Sequence, residues 1–319
     1  NGTYTTANGS FSVAGSTLLA DNVTVYAGGS AGSVTFTGTV DSATTAKGLT
    51  ANSGQTTTFG DMVGNSTALT TLTTDAAGTL ALNGVTTTGQ QTYGETSAVS
   101  LNGSFNTNNT SFTINAPATL TGNTTINAGT GNITFTSTVD SATAARGLTA
   151  NSSNVTTFND LVGNTTALST LTTNANGTST LQGVNTTGAQ SYGDNTTTLN
   201  GTYTTANGSF SVAGSTLLAD NVTVNAGGSA GSITFTGTVD SATTAKGLTA
   251  NSGQTTTFNA LVGNSTALTT LTTDANGTSM LRGVNTTGAQ SYGDNTTTLN
   301  GTYTTANGSF SVAGSTLLA

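Results

Sequence analysis

Twelve carboxylates and four cations are the charged groups of this 319-residue chain, and it has no histidine and no cysteine. Without His the commonest general base and the commonest metal ligand are missing. Without Cys there is no disulfide framework, no thiolate zinc site and no thiol nucleophile. The carboxylates that could do chemistry are periodic: Asp41, Asp140 and Asp240 fall at equivalent places about a hundred residues apart, as do Asp21 and Asp220. One reading is calcium at the corners of a repeating fold; the other is Asp bonding its own backbone at a turn. Equivalent copies would lie about 24 Å apart, too far to share an ion. The stretch Gly28-Gly29-Ser30-Ala31-Gly32 also lacks the Asp of the glycine-rich calcium nonapeptide. The turn reading is therefore preferred.

Ser and Thr are abundant, but no base is placed to activate them, and the glycine-rich corners lack the Lys-Ser/Thr of a phosphate loop. Tyr4, Tyr93, Tyr192, Tyr203, Tyr292 and Tyr303 recur by repeat. Stacking on sugar rings is one use for them, and packing is the better supported one. Asn-X-Ser/Thr triplets such as those at Asn8, Asn22 and Asn65 are glycan acceptor patterns, frequent here because Asn and Thr are frequent. The expectation is a protein with no catalytic, cofactor or metal site, and not an enzyme.

Net charge is −8, and the only basic residues are Lys47, Arg146, Lys246 and Arg282. No cationic stripe exists to neutralise phosphates, which argues against nucleic acid as a partner. No apolar run approaches eighteen residues, so no membrane-spanning helix is expected, and no signal peptide is apparent. The chain looks like a window on a longer tandem array or a mature product.

The elements that carry these residues follow from two nested periods. Residues 1–20 recur unchanged as 200–219 and 300–319, with a diverged copy from Asn102. Within each hundred, an apolar anchor returns every eighteen to twenty-three residues: Leu19, Val40, Phe59, Leu82, Leu101, Leu120, Val139, Phe158, Leu181, Leu199, Leu218, Val239, Phe258, Leu281, Leu299 and Leu318. A fixed period near twenty is the signature of a solenoid. Segments such as Val34-Thr35-Phe36-Thr37 and Ile133-Thr134-Phe135-Thr136 alternate apolar with β-branched polar residues, as half-buried strands do. Asn-Gly and Gly-Gly pairs punctuate them, supplying the positive φ that sharp corners need. Residues 42–49 are the best helical stretch, but Gly48 and the Thr pair favour a short loop.

The predicted fold is thus all-β: a parallel β-helix, or β-solenoid, of about sixteen coils of 18–23 residues, single and continuous over 1–319. Its five-coil repeats span 1–101, 102–199 and 200–299, with 300–319 a partial fourth. The sixteen anchors would form an inward ladder along an axis on the order of 70 Å long, and Thr and Asn would form outward ladders. The rival is a string of immunoglobulin-like sandwiches, since a hundred residues suits one domain. The absence of Trp and of linkers, a lone Pro117, and a subperiod with no purpose in a sandwich weigh against it.

The Thr-, Asn- and Gly-rich coil, for example Gly231-Ser232-Ile233-Thr234-Phe235-Thr236-Gly237-Thr238-Val239-Asp240, resembles the repeats of filamentous-haemagglutinin-like exoproteins and autotransporter adhesins. That resemblance implies a right-handed β-helix exported across a bacterial outer membrane and displayed at, or released from, the cell surface. The leading functional expectation is an extracellular fibre or stalk whose partners are further repeats or copies of itself end to end. The alternatives are adhesion to glycans or cell surfaces and, as a minor one, ice binding through Thr ladders.

Overall fold

The computed structural model describes residues 1–74, 78–173, 176–228, 230–273 and 276–319. They group into two compact units, Asn1–Asp160 and Leu161–Ala319. Each unit is a parallel β-solenoid, and the chain makes about fifteen turns in all. Among the described residues there is no helix, and 43–48 form a loop.

In the first unit every turn contributes to three parallel ladders. The first face is built by Gly2–Thr6, Val23–Ala27, Leu49–Ser53, Leu72–Thr74, Gln91–Tyr93, Phe112–Ile114, Ile133–Phe135 and Val155–Phe158. The second runs from Phe11–Val13 through Val34–Phe36, Thr56–Phe59, Thr79–Leu82 and residues 98–101 and 118–120 to Val139–Ser141. The third links Thr17–Leu19, Val40–Ser42, the single bridging residue Val63, Val85–Thr86, residues 103–106 and 124–127, and Gly147–Ser152. Side chains alternate as a pleated strand requires: in Val34–Phe36 the two apolar residues are buried and Thr35 between them is half-exposed. Coil stacking thus buries a continuous thin core, with columns such as Phe36 on Phe59 (ring centroids 5.4 Å apart, 4° between planes) and Phe135 on Phe158 (5.1 Å, 5°).

The register corrects the expected coil count. Paired positions on the first face, from Gly2 to Val23, Leu49, Leu72, Gln91, Phe112, Ile133 and Thr156, are separated by 21, 26, 23, 19, 21, 21 and 23 residues. The longest step, from Val23 to Leu49, holds the 43–48 loop. From Gly2 to Leu101 there are thirteen strand positions plus the Val63 bridge, or fourteen. With three positions per turn, a repeat holds about four and two-thirds turns, not five. Each repeat therefore starts one face short of where the previous one did. Gly2–Thr6 and Val23–Ala27 lie on the first face, but their counterparts 103–106 and 124–127 lie on the third. Phe11–Val13 and Val34–Phe36 lie on the second face, but Phe112–Ile114 and Ile133–Phe135 lie on the first.

The second unit repeats this plan on its own three ladders. Gln190–Tyr192 and Phe210–Val212 share a ladder with Thr170–Thr173, Ile233–Phe235, Thr255–Phe258, Thr278–Leu281, Thr296–Leu299 and Ser315–Leu318. Their counterparts Gln290–Tyr292 and Phe310–Val312 fall on a different ladder, with Leu271–Thr273 and Leu248–Ser252. Corners are held by backbone geometry. Gly163 and Gly263 have φ of 71° and 70°, and a Cβ at either would lie 2.1 Å from the carbonyl oxygen of Asn185 or Asn285.

Candidate functional site

The sixteen anchors do not share one ladder, because of the face rotation. In the first unit Leu19 and Val40 lie on the third face, Phe59, Leu82, Leu101, Leu120 and Val139 on the second, and Phe158 on the first. In the second unit Leu181, Leu199, Leu218 and Val239 share one ladder, and Phe258, Leu281, Leu299 and Leu318 another. All are buried except Leu318, whose coil is covered on one side only.

The recurring aspartates divide by role. Asp41 Oδ1 accepts from the backbone N–H groups of Ser66 (2.8 Å) and Thr67 (3.2 Å), and Asp240 Oδ1 does the same with Ser265 (2.7 Å) and Thr266 (3.2 Å). The expected turn bond to Asp's own neighbourhood is instead a latch on a loop 25–26 residues further on. Asp21 and Asp220 do accept from the adjacent N–H of Asn22 and Asn221, each at 2.8 Å. The Asn221 N–H and then the Lys246 ammonium, 3.3 Å away, hold the Asp220 carboxyl below its usual range. Among the described residues no group of three or more His, Cys, Asp or Glu could hold a metal ion. Among the described residues no helix is long and apolar enough to cross a membrane.

A buried polar cluster escaped sequence reasoning. Gln190 lies wholly inside; its amide donates to Val184 O (3.1 Å), Thr186 Oγ1 (3.2 Å) and Thr204 O (2.9 Å), and its carbonyl accepts from Tyr192 Oη at 3.1 Å. Gln91 with Tyr93 and Gln290 with Tyr292 rebuild the same cluster. Tyr203 donates to Leu181 O at 3.0 Å and accepts from Asn200 N at 3.2 Å. Burial pushes all these phenols above their usual range. The signal was present as Gln two residues before Tyr at 91, 190 and 290. Two residues beyond that Tyr sits a further buried acid: the Thr74 hydroxyl donates to Glu95 at 2.9 Å, and Thr173 and Thr273 donate to Asp194 and Asp294. Burial is the main influence on Asp194 and raises its carboxyl, against the pull of the Thr173 hydroxyl.

Outward, the first face of the first unit carries an unbroken Thr column: Thr3, Thr24, Thr50, Thr73, Thr92, Thr113, Thr134 and Thr157 pair in register. Two residues before them stand Asn1, Asn22, Gly48, Thr71, Gln90, Ser111, Asn132 and Val155, so no second Thr column accompanies it. An Asn column runs alongside the core, with Asn127 Nδ2 donating to Asn106 Oδ1 and Asn151 Nδ2 to Asn127 Oδ1, both at 2.8 Å. Of the acceptor triplets, Asn8 and Asn65 are exposed, whereas Asn22 Oδ1 is engaged by Gly48 N–H at 2.8 Å.

The second unit has two matching open grooves of about 410 and 520 Å³. Leu161 leans over Gly183 in one, and Leu261 over Gly283 in the other, where an added Cβ would lie 3.0 Å from the Leu Cδ2. The remaining lining is Val, Asn, Thr and Gly, with Gln182 in the first groove. Neither groove brings a nucleophile to a base. No protein-family model matches this chain, and no curated protein or solved structure matches it either.

Proposed function

We propose that this chain is a structural repeat protein whose stacked coils build an extracellular fibre or surface stalk. One observation carries the reading: the polar side chains that recur at 91/93/95, 190/192/194 and 290/292/294 point inward, where each Gln closes on backbone carbonyls, each Tyr on that Gln, and each acid on the hydroxyl of a Thr 21 residues earlier. Side chains available for chemistry are thus committed to cohesion between coils. Export and surface display rest on the resemblance to haemagglutinin-like repeats. The test is electron cryo-microscopy of the assembled material. Continuous filaments with an axial spacing near ~4.8 Å support the fibre. Isolated short rods make it a spacer and move attention to whatever it carries.

A second reading, adhesion, draws on the paired grooves, where an exposed leucine beside Asn and Thr offers one apolar and several polar contacts, as sugar rings require. Binding of soluble glycans that is lost on Leu161→Ser together with Leu261→Ser supports it. Ice binding would need a second Thr column, and a freezing assay without thermal hysteresis removes it.

A further inference from the structure

One carboxylate oxygen in each of two repeats is buried without a partner. Asp194 and Asp294 are each 1% exposed. Their Oδ2 atoms accept from the Thr173 and Thr273 hydroxyls, one coil earlier, while their Oδ1 atoms make no hydrogen bond. Ser179 also faces the Asp194 carboxyl. Its hydroxyl donates to Thr197 Oγ1 at 3.3 Å, and Ser279 donates to Thr297 Oγ1 at 3.1 Å. All six hydroxyl-bearing residues are buried. Among the described residues no basic side chain pairs with either acid. A buried carboxylate is costly unless it is paired or coordinates a metal ion.

The first repeat builds the same corner differently. Glu95 stands where Asp194 and Asp294 stand, and it too accepts from a Thr of the preceding coil, Thr74. The paired residues Leu80 and Val99 occupy the places of Ser179 with Thr197 and of Ser279 with Thr297. Apolar neighbours thus accompany the longer acid, and hydroxyls accompany the shorter one. Asp for Glu and Ser for Leu both withdraw atoms from the corner. Ser and Thr for Leu and Val turn oxygens into the room left. Packing alone gives no reason to set a Ser–Thr pair in a thin apolar core beside an acid.

We propose that the corner holding Asp194 binds a monovalent alkali cation, and that the corner holding Asp294 binds a second. The donors at the first are the Asp194 carboxylate and the hydroxyls of Thr173, Ser179 and Thr197, all hard oxygens. One carboxylate balances one unit of charge. A divalent ion such as calcium takes about six to eight oxygens, and here it would leave a net positive charge inside the core. Thr173 and Ser179 belong to one coil, Asp194 and Thr197 to the next, so the ion ties two successive coils together. The first repeat, with Leu80 and Val99 in place of the hydroxyls, takes no ion.

The test follows thermal unfolding of the full chain by circular dichroism in sodium, potassium, calcium or choline chloride at equal ionic strength and mildly alkaline pH. Choline is too large to enter the corner. Sodium or potassium should raise the melting midpoint by a few degrees over choline, and further as its concentration rises. One variant rebuilds both corners on the plan of the first repeat: Ser179→Leu, Thr197→Val and Asp194→Glu, with Ser279→Leu, Thr297→Val and Asp294→Glu. It should melt at the same temperature in alkali and choline salts. Asp194→Asn with Asp294→Asn should lose the difference as well, and decides the matter if the rebuilt chain does not fold. Asp21→Asn with Asp220→Asn removes two exposed carboxylates and should keep the difference. Equal midpoints for the unaltered chain in alkali and choline salts overturn the proposal, and so does a difference that survives Asp194→Asn with Asp294→Asn. Stabilisation by calcium alone overturns the monovalent assignment. Stability that rises with acidity but ignores the cation gives the place to a proton and overturns it too.

Discussion

Coils 200–219 and 300–319 are the same twenty residues in two settings, and nearly every inward side chain differs in burial between them. Phe210 packs against Tyr192, Tyr203 and Phe235 at 5.6, 5.6 and 5.7 Å, whereas Phe310 has Tyr292 and Tyr303, both at 5.7 Å. The strands form in both places, so pairing with one neighbouring coil suffices to make them. Burial comes from the neighbouring coil. A solenoid therefore draws its stability from interfaces between coils more than from any coil alone.

The largest difference should appear at those phenylalanines. Phe210→Ala removes a fully enclosed ring and is expected to cost about 3–5 kcal/mol in urea unfolding, and Phe310→Ala well under half as much. Leucine sharpens the contrast: Leu218→Ala should cost about 2–5 kcal/mol, while Leu318→Ala stays within about 0.5 kcal/mol. The tyrosines separate a hydrogen bond from its burial, because Tyr303 donates to Leu281 O at 3.1 Å much as Tyr203 donates to Leu181 O. Tyr203→Phe removes a buried hydrogen bond and should cost about 0.5–1.5 kcal/mol, and Tyr303→Phe clearly less.

Titration gives a smaller effect with a definite sign. The Asp194 carboxyl is raised above 3.8 in the folded chain, so the unfolded chain holds fewer protons between the two values. Its contribution to stability is largest below 3.8 and falls as pH rises through the folded value; Asp194→Asn should flatten that slope in thermal melts. Asp220 acts in the opposite sense: its carboxyl is lowered, so its contribution is present above 3.8 and lost as pH falls through the folded value. Lys246→Ala should change stability the least, by about 0–1 kcal/mol and less in high salt.

The class of fold was legible because alternation, corner residues and a period near twenty all pointed to one architecture. The winding was not. Backbone hydrogen bonds pair strands without regard to side-chain identity, so a period in residues does not say how many strand positions fill a turn. Val63, a single bridging residue in place of a strand, and the 43–48 loop each shift the count without disturbing the anchors. The latch from Asp41 to Ser66 and Thr67 was hidden for a related reason, since its partners are 25 and 26 residues away. The Gln–Tyr clusters stood in the sequence at fixed spacing, but only stacking explains why a glutamine belongs inside.

The one-face offset between repeats also has a mechanical consequence. In an array of such repeats no side is consistently the weak one. Within the first unit the 43–48 loop lies between the third face and the first, and its counterpart before Gly147 lies between the second and the third. The compliance of these loops is thus spread about the axis of such an array, while the unbroken Thr column keeps one face of the first unit chemically distinct for lateral neighbours.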